Sequence, residues 1–168
     1  MNNIAKSAGR LLISLMLLFT LHNSNIYAAT TLKATPPLKR TEAFIMLKKA
    51  NSVQLFLGQK PRSKENIKKM LYPYFTSQYT EFFIKECMVN DGQGWYIPAS
   101  DVMDGFIPLF SYDNKTKITY SKDRKATFVL EEFPANNEGP VAWDEHTERV
   151  TIKKTKPGWR VTLIEWLK

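Results

Sequence analysis

Apolar residues recur at intervals of three and four positions between residues 41 and 87, a spacing that predicts three amphipathic helices. The predicted limits are Thr41 to Gly58 for the first helix, an opening at Pro61 and Ser63 and an end near Tyr72 for the second, and a cap at Thr76 or Ser77 for the third. The apolar stripes expected to face the core are Ala43, Met46, Leu47, Ala50, Val53 and Leu57; Ile67, Met70, Leu71 and Tyr74; and Tyr79, Phe82, Phe83 and Cys87.

After residue 90 the apolar period changes to two, which predicts β-strands. The expected strands are a short one at 106–110, one through Ile118 and Tyr120, one at 126–133, one at 149–153, and a last one from Trp159 to Leu163 that follows a turn at Pro157-Gly158. Phe128 and Trp159 are expected in the core. Because helices come first and strands follow, the predicted class is α+β, with three N-terminal helices packed on a curved antiparallel sheet.

The first 28 residues have the composition of a secretory signal peptide. Lys6 and Arg10 precede an apolar run of 11 residues, too short to span a bilayer, and small residues follow near Ala28. Cleavage there would lower the formal net charge from +8 to +6. We therefore expect a signal peptide at 1–28, a flexible leader at 29–40, a single domain at 41–168, and a secreted protein that is extracellular or associated with the cell wall, with no stable membrane anchor.

Several segments of the chain resemble known domains. The closing hairpin from Val150 to Ile164 resembles the end of NTF2-like, cystatin-superfold domains. The segments 73–76, 105–108 and 138–141 resemble a DUF3993-like family of small secreted Bacillus-type proteins of unknown function. The resemblance covers roughly 41–166 and implies a cone-shaped sheet, but it supplies no catalytic residues.

The chain contains one cysteine, Cys87, which excludes an intramolecular disulfide and cysteine-rich metal sites. Its place on an apolar helical stripe favours a core role over a reactive thiol. No nucleotide-binding, metalloprotease or serine-hydrolase motif occurs, and no metal or cofactor is expected.

Carboxylates and one histidine are the candidates for catalysis. Asp144, His146 and Glu148 would share one face of a strand, where a carboxylate can orient an imidazole as a general base or both can bind a metal. A solvated surface is the favoured alternative. Asp91, Asp101 and Asp104 could act inside an NTF2-like cone, although roles as caps and turns are favoured.

Aromatic and basic residues are the candidates for binding. Trp95, Tyr96 and Trp143 lie in or near loops, where they could face a ligand or close the open end of the sheet. The basic residues Lys60, Arg62, Lys64, Lys68 and Lys69 would form either a solvated helix face or a surface for anions. In an exported protein such anions belong to wall polymer or lipid headgroups rather than to nucleic acid.

The sequence thus favours an exported, non-catalytic binding module for an anionic wall polymer, a small ligand or an envelope protein. One alternative is a small carboxylate-dependent hydrolase or isomerase that uses the cone. Another is an interaction protein that forms a homodimer or docks through its sheet.

Overall fold

The computed structural model of the protein describes residues 36–98, 105–138 and 142–167. The predicted signal peptide, most of the leader and the candidates Asp101 and Asp104 lie outside the described residues. In the described ranges, no helix is long and apolar enough to cross a membrane.

The three predicted helices are present as α1 (Arg40–Leu57), α2 (Lys64–Leu71) and α3 (Ser77–Cys87). The Ser63 hydroxyl accepts a hydrogen bond from the backbone N–H of Asn66 at the start of α2, and Thr76 caps α3 in the same way. Thr41 is not a cap, contrary to the prediction. The helix already includes Arg40, because the Glu42 carboxylate accepts from the backbone N–H of Lys39 at 3.0 Å and anchors the first turn one residue earlier.

In the described part of the chain, six strands form two antiparallel sheets. The small sheet pairs β1 (Val89–Asn90) with β2 (Trp95–Tyr96), and the large one contains, in chain order, β3 (Lys117–Tyr120), β4 (Ala126–Phe133), β5 (His146–Thr155) and β6 (Gly158–Leu167). The bounds of β4 agree with the sequence prediction. The fold class is therefore α+β, as expected.

The short strand expected at 106–110 does not form. The backbone N–H of Ile107 donates instead to the buried Gln54 side chain at 2.9 Å, and Pro108 has no N–H to give. A little further on, the N–H of Ser111 donates to the Glu131 carboxylate at 2.9 Å. The segment is therefore held by side chains rather than by a strand ladder.

Buried residues of the helices and the sheet belong to one hydrophobic cluster, which includes Leu47, Phe83 and Val150. The turn before α3 joins β6 directly, since Val161 donates to Tyr74 at 2.8 Å and accepts from Thr76 at 3.0 Å. These bonds occupy part of the β6 edge, which would otherwise be open.

Two core predictions are wrong. Phe82 is 47% exposed, while Thr80 and Ile84 are buried in its place, because the buried face of α3 is rotated relative to the predicted stripe. Phe128 is half-buried outside the core cluster, where its ring lies 5.8 Å from the guanidinium carbon of Arg149.

Candidate functional site

Basic and aromatic side chains meet where the end of α1, the start of α2 and the β1–β2 hairpin come together. We call this set, formed by Phe56, Lys60, Arg62, Lys64 and Trp95, the basic-aromatic surface. Arg62 and Trp95 pair through two backbone hydrogen bonds, N–H to O at 2.9 Å in one direction and 2.8 Å in the other. The hairpin is thereby fixed against the first residues before α2.

Gly94 allows this close approach. Its φ is +152°, a conformation that side chains rarely adopt, and a β-carbon there would lie 3.0 Å from both the backbone N and O of Arg62. Only glycine fits between the hairpin and the Arg62 backbone at this point.

Two cations of this surface, Arg62 and Lys64, lie over aromatic rings. The guanidinium carbon of Arg62 lies 4.5 Å from the centroid of the Phe56 ring, and Lys64 Nζ lies 5.8 Å from the Trp95 ring. Two guanidinium nitrogens of Arg62, Nε and Nη2, are buried without a hydrogen-bond partner in the described structure. The group is thus positioned by ring contact and by its backbone rather than by an acid.

Glu81 on α3 pairs with two of the predicted cations. Its carboxylate lies 3.3 Å from Lys64 Nζ and also contacts Lys68. The hydrogen bond to Lys68 lowers the pKa of Glu81, and the same bond raises the pKa of Lys68. Because the ion pairs of Glu81 are open to solvent, they contribute little stability.

The five predicted cations therefore divide into different environments. Lys60 and Lys69 are exposed, Arg62 is half-buried, and none of the three forms a salt bridge within the described ranges. The structure brings Arg62 and Lys64 to Trp95 but shows no contact between Lys69 and the tryptophan.

The other aromatic candidates lie in separate environments. Tyr96 is half-buried and pairs with Val89 in the small sheet. Trp143 bridges to Asn136, and its indole N–H donates to the Pro134 carbonyl at 3.0 Å. Its N–H is therefore used within the loop that precedes β5.

His146 is buried, which corrects the expectation of a solvated histidine. Only 7% of its surface is exposed, because its ring stacks between Phe133, at 5.4 Å between centroids, and Trp166, at 4.1 Å. Asp144 is exposed and presents its backbone carbonyl, not its carboxylate, to His146 Nδ1 at 2.8 Å. The predicted grouping is thus only partly formed.

Both nitrogens of the His146 ring face oxygen atoms. Nδ1 faces the carbonyl of Asp144, and Nε2 lies 3.1 Å from Oε1 of Glu148. A neutral imidazole has only one N–H, so both contacts are hydrogen bonds only when the ring is doubly protonated or Glu148 carries the proton. Burial raises the pKa of Glu148, which favours retention of this shared proton.

Glu131 is a buried carboxylate that the sequence analysis missed. It is 5% exposed and lies directly opposite Glu148 across the β4–β5 ladder. Its Oε2 accepts hydrogen bonds from Ser111 N–H at 2.9 Å, Ser111 Oγ at 3.0 Å and Thr116 Oγ1 at 2.7 Å. The alternation of side chains along the strand could have indicated its burial, because Glu131 lies on the same face of β4 as the buried Val129.

Tyr112 lies near Glu131 and was also missed by the sequence analysis. Its φ of 58° is left-handed, and its buried hydroxyl has no hydrogen-bond partner in the described part of the chain. Burial, with a smaller contribution from the charge of Glu131, raises the pKa of Tyr112 to about 12. The hydroxyl therefore stays protonated over the physiological range.

The polar groups around Glu131 and His146 are mostly engaged in hydrogen bonds within the chain. The Ser111 hydroxyl lies within hydrogen-bond distance of the carboxylates of Asp113, at 2.7 Å, and Glu131, at 3.0 Å, which share its single proton. Asp91 is exposed, and its carboxylate accepts from the Gln93 N–H at 2.9 Å in a turn. Within the described ranges, no three His, Cys, Asp or Glu side chains are arranged to hold a metal ion.

The chain matches the model of one known protein family. The family described as "Protein of unknown function (DUF3993)" matches residues 39–133, just over half of the chain. This chain belongs to the DUF3993 family. The match contains the basic-aromatic surface and Glu131, whereas His146, Glu148 and Trp166 follow it along the chain. No curated protein and no solved structure matches the chain.

Proposed function

We propose that this DUF3993 protein is an exported, non-catalytic module that binds anionic material of the cell envelope through its basic-aromatic surface. The observation that carries the proposal is the placement of Arg62 and Lys64 against the rings of Phe56 and Trp95. Cations beside rigid aromatic side chains provide both charge attraction and contact area for an anionic polymer.

The overall charge supports the same partner. The chain carries 24 Lys and Arg against 16 Asp and Glu, and removal of the proposed signal peptide leaves it basic. Outside the cell the abundant polyanions are wall polymers and lipid headgroups. We further propose that the antiparallel sheet and the helices form an NTF2-like domain and that residues 1–28 direct export.

The alternative of a carboxylate-dependent enzyme has less support. His146 uses both ring nitrogens within the chain, and the Asp144 carboxylate does not face it. Glu131 accepts three hydrogen bonds from neighbouring groups. These contacts are typical of a cluster that holds strands and loops together.

Fractionation of producing cells tests the proposal. The wall, the membrane and the medium are compared, and the envelope fraction is then washed in rising salt. We expect envelope retention that salt reverses, because surface ion contacts are screened. Protein found only in the medium, or retention that high salt does not reverse, would contradict it.

A pair of variants assigns the retention to the surface. The double variant Arg62→Gln/Lys64→Gln removes two charges from it and should elute at lower salt. The control Lys122→Gln/Lys156→Gln removes two exposed charges from the turns before β4 and β6 and should elute like the wild type. Elution of both double variants at the same salt concentration would contradict a role of the basic-aromatic surface in retention.

A further inference from the structure

Two large apolar side chains are exposed at the edge of the basic-aromatic surface. Leu55 is 53% exposed and Phe56 is 43% exposed, both in the last turn of α1. The chain then passes through Gly58 directly to Lys60 and Arg62. The exposed apolar side chains thus immediately precede the cations along the chain, and the Phe56 ring lies 4.5 Å from the guanidinium carbon of Arg62.

A soluble polyanion has no apolar region that an exposed leucine could enter, whereas a bilayer surface has one. Apolar side chains that enter the boundary between headgroups and acyl chains bind by the hydrophobic effect, while neighbouring lysines and arginines contact anionic headgroups. A tryptophan such as Trp95 suits the same boundary, because its ring is apolar and its N–H is polar. The combination of side chains on this surface matches that environment.

We infer that the basic-aromatic surface, together with Leu55, docks the protein reversibly on an anionic lipid bilayer. This rests on the proposed function and names the bilayer as its anionic partner. Charge complementarity supports that choice, since Lys60 and Arg62 form no salt bridge within the described ranges and Glu81 is the acid that pairs with Lys64. Three cations and two apolar side chains fit peripheral, salt-sensitive attachment rather than permanent anchoring.

Vesicle co-sedimentation tests the inference, with the exported form of the chain purified from producing cells. The probes are vesicles of phosphatidylglycerol with phosphatidylcholine, vesicles of phosphatidylcholine alone, and soluble polyphosphate. The test variant is Leu55→Ser, and the matched control is Leu163→Ser, an exposed leucine on β6. Circular dichroism confirms that both variants are folded.

We expect binding to the anionic vesicles and not to the neutral ones. Leu55→Ser should weaken vesicle binding about tenfold, the factor that follows from loss of one partly inserted leucine. Leu163→Ser should bind vesicles like the wild type, and neither variant should change the affinity for polyphosphate.

Other outcomes overturn the inference in distinguishable ways. Equal vesicle binding by Leu55→Ser and the wild type, or equal binding to both kinds of vesicle, would refute bilayer docking. Binding to polyphosphate without binding to vesicles would also refute it, and would leave the proposed function intact. Failure to bind either anionic probe would refute the inference and the proposed function together.

Discussion

Arg62 and Trp95 bind each other through both of their backbone hydrogen bonds, at 2.9 and 2.8 Å. The β1–β2 hairpin forms a sheet of its own and shares no ladder with the four-stranded sheet. The Arg62–Trp95 bridge is therefore the backbone link that sets the tryptophan against the start of α2 in the described structure. Local backbone pairing, more than side-chain chemistry, assembles the basic-aromatic surface.

Replacement of Gly94 should disrupt this surface selectively. In Gly94→Ala the new β-carbon would lie 3.0 Å from the Arg62 backbone, so the bridge must open. We expect weaker retention on anionic material, while the circular dichroism of the helices and the large sheet persists. The control is Gly92→Ala in the same hairpin, where φ is +91° but nothing lies within 4 Å of the added carbon. Backbone strain of about 1–3 kcal/mol applies to both variants, so equal retention would contradict the role of the bridge.

Gly105→Ala should destabilise the whole domain. The added carbon would lie 3.0 Å from Cys87 Sγ at a φ of +86°, and the Gly105 carbonyl accepts from Gln54 Nε2 at 2.9 Å and Tyr79 OH at 2.6 Å. Strain and displaced packing together predict a loss of about 2–4 kcal/mol in the free energy of unfolding, measured in urea. Tyr79→Phe, which removes only a hydroxyl, should cost about 1 kcal/mol. A smaller loss for the glycine variant than for the tyrosine variant would refute this account.

The Glu131 carboxylate should stabilise the segment before β3. Glu131→Ala leaves the Ser111 N–H and the two hydroxyls of Ser111 and Thr116 without their acceptor. We expect a loss of about 2–4 kcal/mol in urea unfolding, against about 1 kcal/mol for Thr116→Val, which removes one donor. Similar values for the two variants would show that the carboxylate acts through Thr116 alone.

The His146–Glu148 pair should make stability depend on pH in an unusual direction. Burial raises the pKa of Glu148 above its ordinary value of 4.5, so the folded protein holds this proton more tightly than the unfolded chain. The contribution of Glu148 is then fully present below pH 4.5 and declines as the pH rises through the raised pKa. Exposed carboxylates such as Glu81, whose pKa is lowered, act in the opposite sense at acid pH.

The comparison with Glu148→Gln isolates this effect. Urea unfolding from pH 4 to pH 8 should show the wild type losing stability relative to the variant as the pH increases, because the glutamine has no proton to lose. A difference that stays constant, or that changes in favour of the wild type at higher pH, would contradict the shared proton.

Local signals predicted part of the fold. The caps Ser63 and Thr76 act within one helical turn, and the apolar alternation of residues 126–133 is continuous, so these limits follow from neighbouring residues. The error at 106–110 arose from a distant partner, because Gln54 takes the Ile107 N–H across 53 positions. Sequence alternation gives no information about such long-range acceptors.

The residues of the candidate site could also be predicted only in part from the sequence. The basic residues around Arg62 were found because they lie within ten positions of the sequence, but the pairing of Lys64 and Lys68 with Glu81 depends on the packing of α2 beside α3. The burial of His146 depends on Trp166, which is 20 positions away and reaches it only through the β5–β6 pairing. Composition near His146 alone indicated a solvated segment.

The most direct test of the central claim is the affinity of purified Arg62→Gln/Lys64→Gln for anionic envelope polymer, measured across a range of salt concentrations. At low salt we expect at least about tenfold weaker binding than the wild type, since each surface cation contributes about 1 kcal/mol. The dependence on salt should also be shallower, while Lys122→Gln/Lys156→Gln behaves like the wild type. Equal affinities and equal salt dependence for the two double variants would contradict a binding function at the basic-aromatic surface.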